Sequence, residues 1–198
     1  MNWDDKFSGE EYSYGTEPND FLRAVAGRIE PGGAVLSLCE GEGRNGVFLA
    51  AMGFDVLGVD GSVNGLEKAR RLAAARGVEL ETEVCDLNDF AIAEGKWDAI
   101  VSIFGHLPAD LRKKINAAIV KGLKPGGVLI LEGYTPRQLR YATGGPKDVA
   151  MLYEPEELER ELAGLDFEII REVEREIVEG PSHTGKGAVV QILARRKS

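Results

Sequence analysis

At 198 residues, 43% hydrophobic and 29% charged, the chain has the length and make-up of one globular domain able to build its own core. Its formal net charge of −9 argues against nucleic acid as a partner, because binding a phosphate backbone calls for a basic surface. Residues 1–6 are polar and acidic, unlike a signal peptide, and no apolar run approaches bilayer length, so a cytoplasmic setting without a membrane partner is expected.

Residues 3–16 carry Trp3, Phe7, Tyr12 and Tyr14 among acids and glycines, with neither helix nor strand period. Such a leader either covers the edge of the core or closes over a ligand as a lid. Pro18 to Ile29 predicts a helix with Phe21, Leu22, Val25 and Ile29 on one face, ended by Pro31-Gly32-Gly33. Ala34 to Cys39 then reads as a strand buried on both faces. It passes through Gly41-Glu42-Gly43 into a helix-period segment, Asn45 to Met52, stopped by Gly53. Strand, glycine turn and helix bring backbone N–H groups and a helix N-terminus to whatever binds there. Glycine is required because side chains would hold a ligand away from the backbone. Gly41, Gly43 and Gly46 also fit G-x-G-x-x-G, so the turn alone does not identify its ligand.

Phe54 to Val59 predicts the second strand, closed by Asp60-Gly61-Ser62. Asp60 lies about twenty residues past the glycine turn, where this topology sets an acid against a ribose. An ionised carboxylate can accept from two neighbouring hydroxyls; the alternative is an Asp that begins a turn. Ser62 caps a helix running to Arg76, with Gly77 as its stop. Glu79 to Val84 alternates as a third strand ended by Cys85-Asp86-Leu87. Asp86 can accept from an exocyclic amine while the Leu87 N–H donates to a ring nitrogen, or Asp86 is a turn residue. Cys39 and Cys85 show no metal spacing and read as buried reduced thiols; no metal is expected.

Trp97 to Phe104 is a fourth strand, followed by Gly105-His106-Leu107-Pro108, a helix from Ala109 to Leu123, the turn Lys124-Pro-Gly-Gly127 and the strand Val128 to Leu131. From Gly133 to Glu154 the pattern fails, and a polar loop of that length leaving the carboxyl end of a strand is a candidate substrate wall. After a short helix, Glu156 to Leu162, two β-type runs, Glu168 to Val178 and Ala188 to Ala194, leave no room for a helix and must pair as an antiparallel hairpin. The expected fold is α/β: a doubly wound, mostly parallel, seven-stranded sheet closed by a C-terminal antiparallel hairpin.

That terminal pair, the glycine turn, Asp60, Asp86-Leu87 and Leu123-Lys-Pro-Gly-Gly127 together resemble the class I S-adenosylmethionine-dependent methyltransferases, over nearly the whole chain. Tyr14-Gly-Thr-Glu-Pro-Asn-Asp-Phe-Leu22, Glu40-Gly-Glu-Gly-Arg-Asn45 and Ser102-Ile-Phe-Gly-His-Leu-Pro108 resemble small bacterial members related to the tellurite-resistance and thiopurine methyltransferase groups. The resemblance implies a single domain over 1–198, with residues 1–30 covering S-adenosyl-L-methionine and 133–155 on the substrate side. It places Gly41, Gly43 and Asn45 under the methionine part and Asp60, flanked by Gly61 and Ser62, on the ribose. Asp86 and Leu87 then meet adenine, Ser102 to Phe104 form the floor, and Tyr12 and Tyr14 close from above. Where the family commonly has an Asp inside the first strand and a Gly at its end, this chain has Ser37 and Cys39. Glu40 either supplies the missing acidic contact to the methionine ammonium or is a solvated turn residue.

In-line transfer needs the acceptor held near the methyl carbon in a dry site, and a base only where the acceptor must lose a proton. His106 is the base candidate, the alternative being a His that hydrogen-bonds its loop; His183 either points over the substrate mouth or faces water. The expected acceptor is a small molecule, met by a monomer or homodimer. A non-catalytic S-adenosylmethionine-binding protein and a nicotinamide oxidoreductase are the rival readings.

Overall fold

The computed structural model describes residues 2–141 and 143–197. Among them, seven strands form one sheet: β1 (Ala34–Leu38), β2 (Asp55–Asp60), β3 (Glu81–Val84), β4 (Trp97–Ile103), β5 (Leu123–Tyr134), β6 (Leu165–Val178) and β7 (Thr184–Arg196). Their order across the sheet is β3-β2-β1-β4-β5-β7-β6. β7 pairs antiparallel with both β5 and β6 and is the one strand running against the other six. The helices are α1 (Trp3–Lys6), α2 (Asp20–Val25), α3 (Arg44–Ala51), α4 (Val63–Arg76), α5 (Ala109–Gly122) and α6 (Pro155–Glu161). This is the doubly wound α/β sheet with a closing hairpin that the strand pattern predicts.

The central strands read as continuous apolar runs because both sheet faces are covered. Successive residues of a strand point to opposite faces, so Val35 joins Phe21, Leu22 and Leu49 in one core. Its neighbour Leu36 joins Ile115 and Ile119 of α5 and Leu158 of α6 in the other. The chain leaves β1 for β2 on one side and meets β4 on the other, so the sheet order reverses at the carboxyl end of β1. Open α/β sheets bind ligands in that crevice.

Three segments differ from the sequence reading. The leader contains a helical turn, α1, whose N-cap Asn2 accepts from the Asp4 N–H. The polar loop is shorter than expected, because β5 extends through Tyr134 and single 3-10 turns occupy Pro136–Arg140 and Val149–Met151. Backbone pairing of Gly133 and Tyr134 with Val190 and Val189 of β7 carries the strand onward where side-chain pattern gives no signal. Lys124–Gly127 remains a turn-like irregularity inside β5: pairing jumps from Trp97↔Leu123 to Ala99↔Val128. Cys39 and Cys85 are free thiols, half-buried where full burial was expected.

Candidate active site at the carboxyl ends of the strands

Two non-glycine residues adopt positive φ among those described, Cys39 (53°) and Phe104 (55°), and they end the adjacent central strands β1 and β4. Backbone held in the left-handed region by such residues costs energy and concentrates at working sites. Both bends turn the chain away from the sheet and open the turns Glu40–Gly43 and Gly105–Leu107. Gly43 is required where it stands: its φ is 96°, and a Cβ there would lie 2.6 Å from the Ala69 Cα of α4.

The next strand end carries Asp60. Its Oδ2 accepts from the Gly41 N–H at 2.9 Å and its Oδ1 from the Ser62 N–H at 2.8 Å. A carboxylate has about four lone-pair sites, so two remain, aimed from a fixed position beside the glycine turn. Burial raises the Asp60 carboxyl above its usual range, against these backbone bonds. Ser62 caps α4 by accepting from the Gly65 N–H. At the end of β3, Asp86 is exposed and accepts from the Asn88 N–H, while Leu87 turns into the core. Ser102 is buried at the end of β4, beneath Gly105. Gly41, Gly43, Asp60, Gly61, Ser62, Asp86, Leu87, Ser102 and Phe104 therefore lie on or just beyond the carboxyl ends of β1 to β4.

Glu40 is not a solvated turn residue. It is 5% exposed, accepts from the Ser37 hydroxyl and, at 2.7 Å, from the Gly46 N–H, and packs over Gly58. Its carboxyl thus folds back against the strand position that holds Ser37. Burial pushes it up from 4.5 to about 7, the Ser37 and Gly46 bonds opposing. A carboxyl raised on folding contributes stability that is full below 4.5 and is lost as pH rises through about 7. Glu40→Gln keeps the Gly46 bond and reverses the other, with Ser37 now accepting. At pH 8 it is expected to be more stable than wild type by on the order of 2 kcal/mol, the gap closing toward pH 4.5. Urea denaturation at the two pH values reads this out; parallel stability–pH curves would remove the assignment.

The leader lies over the turn. Phe7 is buried, its ring 3.4 Å from where a Cβ on Gly41 would sit and against Gly65. Asp4 accepts from the Ser62 hydroxyl and the Asn64 N–H, tying α1 to the loop that carries Asp60. Tyr14 makes aromatic contacts with Phe7 and His183, at 6.1 and 4.9 Å between ring centroids. Tyr12 is placed elsewhere: it packs on Val47, Leu72 and Ala73, its hydroxyl donating to the Lys68 carbonyl. Asn45 likewise serves the scaffold, its side-chain oxygen accepting from the Asn19 N–H.

His106 bridges two loops. Its Nδ1 lies 2.8 Å from the Met151 carbonyl and its Nε2 accepts from the Tyr134 N–H at 3.0 Å. Burial pushes it down to about 4, against the bond to Met151. With both nitrogens on the backbone, His106 has none left for an acceptor's proton, which corrects its assignment as a base.

Several residues here escape a reading of the sequence. Lys68 and Glu42 form an ion pair of 2.5 Å with both side chains 2% exposed, and the Tyr14 N–H donates to Glu42. Glu132 at the end of β5 is fully buried and holds Asn19, Arg175 and Gln191. Arg175 and Arg44 both reach Glu179 at 2.7 Å. Arg44 is a cation in the first turn of α3, where the helix dipole disfavours positive charge by up to about 1 kcal/mol, too little to demand a partner acid.

Residues 35–127 match the family described as methyltransferase domain. The chain is 27% identical over 149 residues to the 2-heptyl-1-hydroxyquinolin-4(1H)-one methyltransferase of Mycobacteroides abscessus, covering 73% of this chain and 63% of that protein. It thus spans less than two thirds of that relative's length. Among solved structures, TehB from Haemophilus influenzae superposes with a TM-score of 0.75 at 23% identity over 98% of this chain and 67% of that one. A protein studied for the conversion of a disulfide bond into a thioacetal group during echinomycin biosynthesis gives 0.78 at 24%, covering 98% and 91%. Residues 35–127 thus resemble a methyltransferase domain, and they lie on a sheet whose last strand is reversed. Among the described residues no cluster of His, Cys, Asp and Glu suits a metal ion, and no helix is long and apolar enough to cross a membrane.

Proposed function

We propose that the protein transfers a methyl group from S-adenosyl-L-methionine to a small-molecule acceptor, in the manner of the small bacterial tellurite-resistance and thiopurine groups. The observation that carries this reading is the Asp60 carboxylate, fixed by the Gly41 and Ser62 N–H groups with two lone-pair sites to spare. That donor–acceptor balance suits the two ribose hydroxyls of an adenosyl group. Asp86 and Leu87 are assigned to adenine, and Gly41, Gly43, Gly61 and Ser62 to the path between adenine and methionine. Ser102 and Phe104 form the floor, Phe7 and Tyr14 the cover. Glu40 lies inside the turn and acts on the methionine ammonium by charge from below it.

The cofactor supplies an electrophilic methyl on sulfonium sulfur, so the hard chemistry is not asked of the protein. The chain's part is to align the acceptor and exclude water. The leader contributes to both, because Phe7 seals the turn while Tyr14 bridges to His183 on the hairpin side. A small acceptor is supported by this enclosure and by the relative named for a hydroxyquinolinone. Titration calorimetry of the folded protein with S-adenosylmethionine and S-adenosylhomocysteine tests the reading. Saturable binding of both is expected, and no heat with either would sink it.

A further inference from the structure

Among the described residues, six buried side-chain polar atoms lack a hydrogen-bond partner. Five of them sit in one place: Arg44 Nη1, Tyr134 Oη, Arg175 Nε, Glu179 Oε2 and His183 Nδ1. Stranding one such atom costs about 1–3 kcal/mol, so five together mark a site arranged for something else. Glu179 Oε2 does face Arg44 Nη2 at 2.7 Å, but off the hydrogen-bond direction. The same oxygen lies 3.8 Å from His183 Nδ1. His183 is 5% exposed, and its ring sits edge-on to Tyr14, Phe104 and Tyr134 with centroids 4.9, 4.5 and 5.3 Å away. Phe104 ends β4 and Tyr134 ends β5, so the hairpin tip has turned inward, over the crevice, rather than toward water.

We infer that His183, oriented through Nδ1 by Glu179, is the general base that takes the proton of a neutral, flat acceptor bearing a weakly acidic O–H, a phenol or hydroxylated heteroaromatic, lying among Tyr14, Phe104 and Tyr134. This deepens the methyltransferase reading and rests on it. The geometry is that of a carboxylate–imidazole dyad: one nitrogen faces the acid, and Nε2 has no protein partner among the described residues. Such contacts are often long in the free protein and tighten on binding. Burial lowers the His183 imidazole below its usual value, Glu179 opposing, which keeps it unprotonated and able to accept near neutral pH. Burial would raise the Glu179 carboxyl, but His183 and the Arg44 and Arg175 guanidinia overrule it, so it stays ionised.

Charge balance decides the acceptor class. The groups facing His183 are Arg44 from α3, Glu132 and Tyr134 from β5, Arg175 from β6, Tyr14 from the leader, Glu179 on its own turn, and the neutral His106. Two guanidinium cations meet two carboxylates and cancel. A permanently anionic acceptor finds no net attraction here, whereas a neutral O–H finds a base, three aromatic walls and the unpaired Tyr134 hydroxyl. In the transfer, the acceptor oxygen forms its bond to the methyl carbon as the carbon–sulfonium bond breaks and sulfur keeps the electron pair. The O–H proton passes to His183 Nε2, and Glu179 balances the imidazolium until water removes the proton.

The test compares wild type with His183→Gln on phenol and 4-nitrophenol, a weak and a stronger acid of similar shape. The variant is expected to methylate phenol at pH 7 about 100-fold or more slowly. The deficit should shrink to within about fivefold for 4-nitrophenol above its own pKa, where no base is needed. Cofactor binding by calorimetry confirms that the variant is folded. Nitrogen-15 NMR of the imidazole in the free wild-type protein should show the Nδ1–H tautomer. Equal rates for variant and wild type on phenol at all pH values would overturn the base. A wild type that binds S-adenosylmethionine yet methylates neither phenol would overturn the acceptor class. If it fails to bind S-adenosylmethionine, the methyltransferase reading falls instead, and an Nε2–H tautomer would still dismiss the dyad.

Discussion

Replacing Lys68 by methionine is expected to lower folding stability by about 3–5 kcal/mol, the cost of leaving a buried charge without its partner. Lys68 Nζ meets Glu42 at 2.5 Å and donates to the Glu11 carbonyl at 2.6 Å, and both side chains are 2% exposed. Without the ammonium, Glu42 keeps only the Tyr14 N–H at 3.3 Å. Exposed pairs contribute little, but this one is sealed between α4, the glycine turn and the leader. Urea denaturation of Lys68→Met, Glu42→Gln and the double variant closes a cycle in which the double is expected to regain most of the loss. A single variant within about 1 kcal/mol of wild type would mean that water reaches the pair. Because Glu11, Tyr12 and Tyr14 all touch this pair or its backbone, proteolysis of the leader should accelerate in the single variants.

Asp60→Asn is expected to weaken S-adenosylmethionine by about 100-fold, close to 3 kcal/mol. The amide can no longer accept at all four sites, and its NH2 must confront the N–H of either Gly41 or Ser62. The contacts to the ribose hydroxyls are weakened, and the turn that positions them is disturbed with them. Calorimetry measures the affinity, and thermal denaturation of the free variant separates lost binding from lost fold. Binding within about threefold of wild type would move the ribose away from this carboxylate.

The central strands were legible because β1, β4 and the apolar half of β5 are covered on both faces and show it as unbroken apolar runs. Asp60 was legible for a different reason: chain topology fixes the separation of glycine turn and strand-end acid. The sequence could not show that β5 runs on through Gly133 and Tyr134, since that stretch is held by backbone pairing with β7. His106 illustrates a sharper limit. Its position beside β4 is local information, whereas its two partners, Met151 and Tyr134, come from distant segments. His183 shows the converse. The sequence left it between mouth and water, and its inward turn depends on the leader, through the Ser182 N–H donating to the Ser13 carbonyl. The ion pairs of Arg44, Glu132, Arg175 and Glu179 were hidden because each residue alone reads as an ordinary surface charge.

The meeting of leader and hairpin bears on the order in which the fold can close. Lys6 donates to Ser182, 176 positions away, and Gly15 and Gly180 touch so closely that a Cβ on Gly180 would fall 2.3 Å from the Gly15 nitrogen. Residues 13–15 therefore find their seat only after β6 and β7 have paired. Phe7 can rest on Gly41 and Gly65 before that, whereas Tyr14 waits for His183, so the cover over the glycine turn is laid down in two stages.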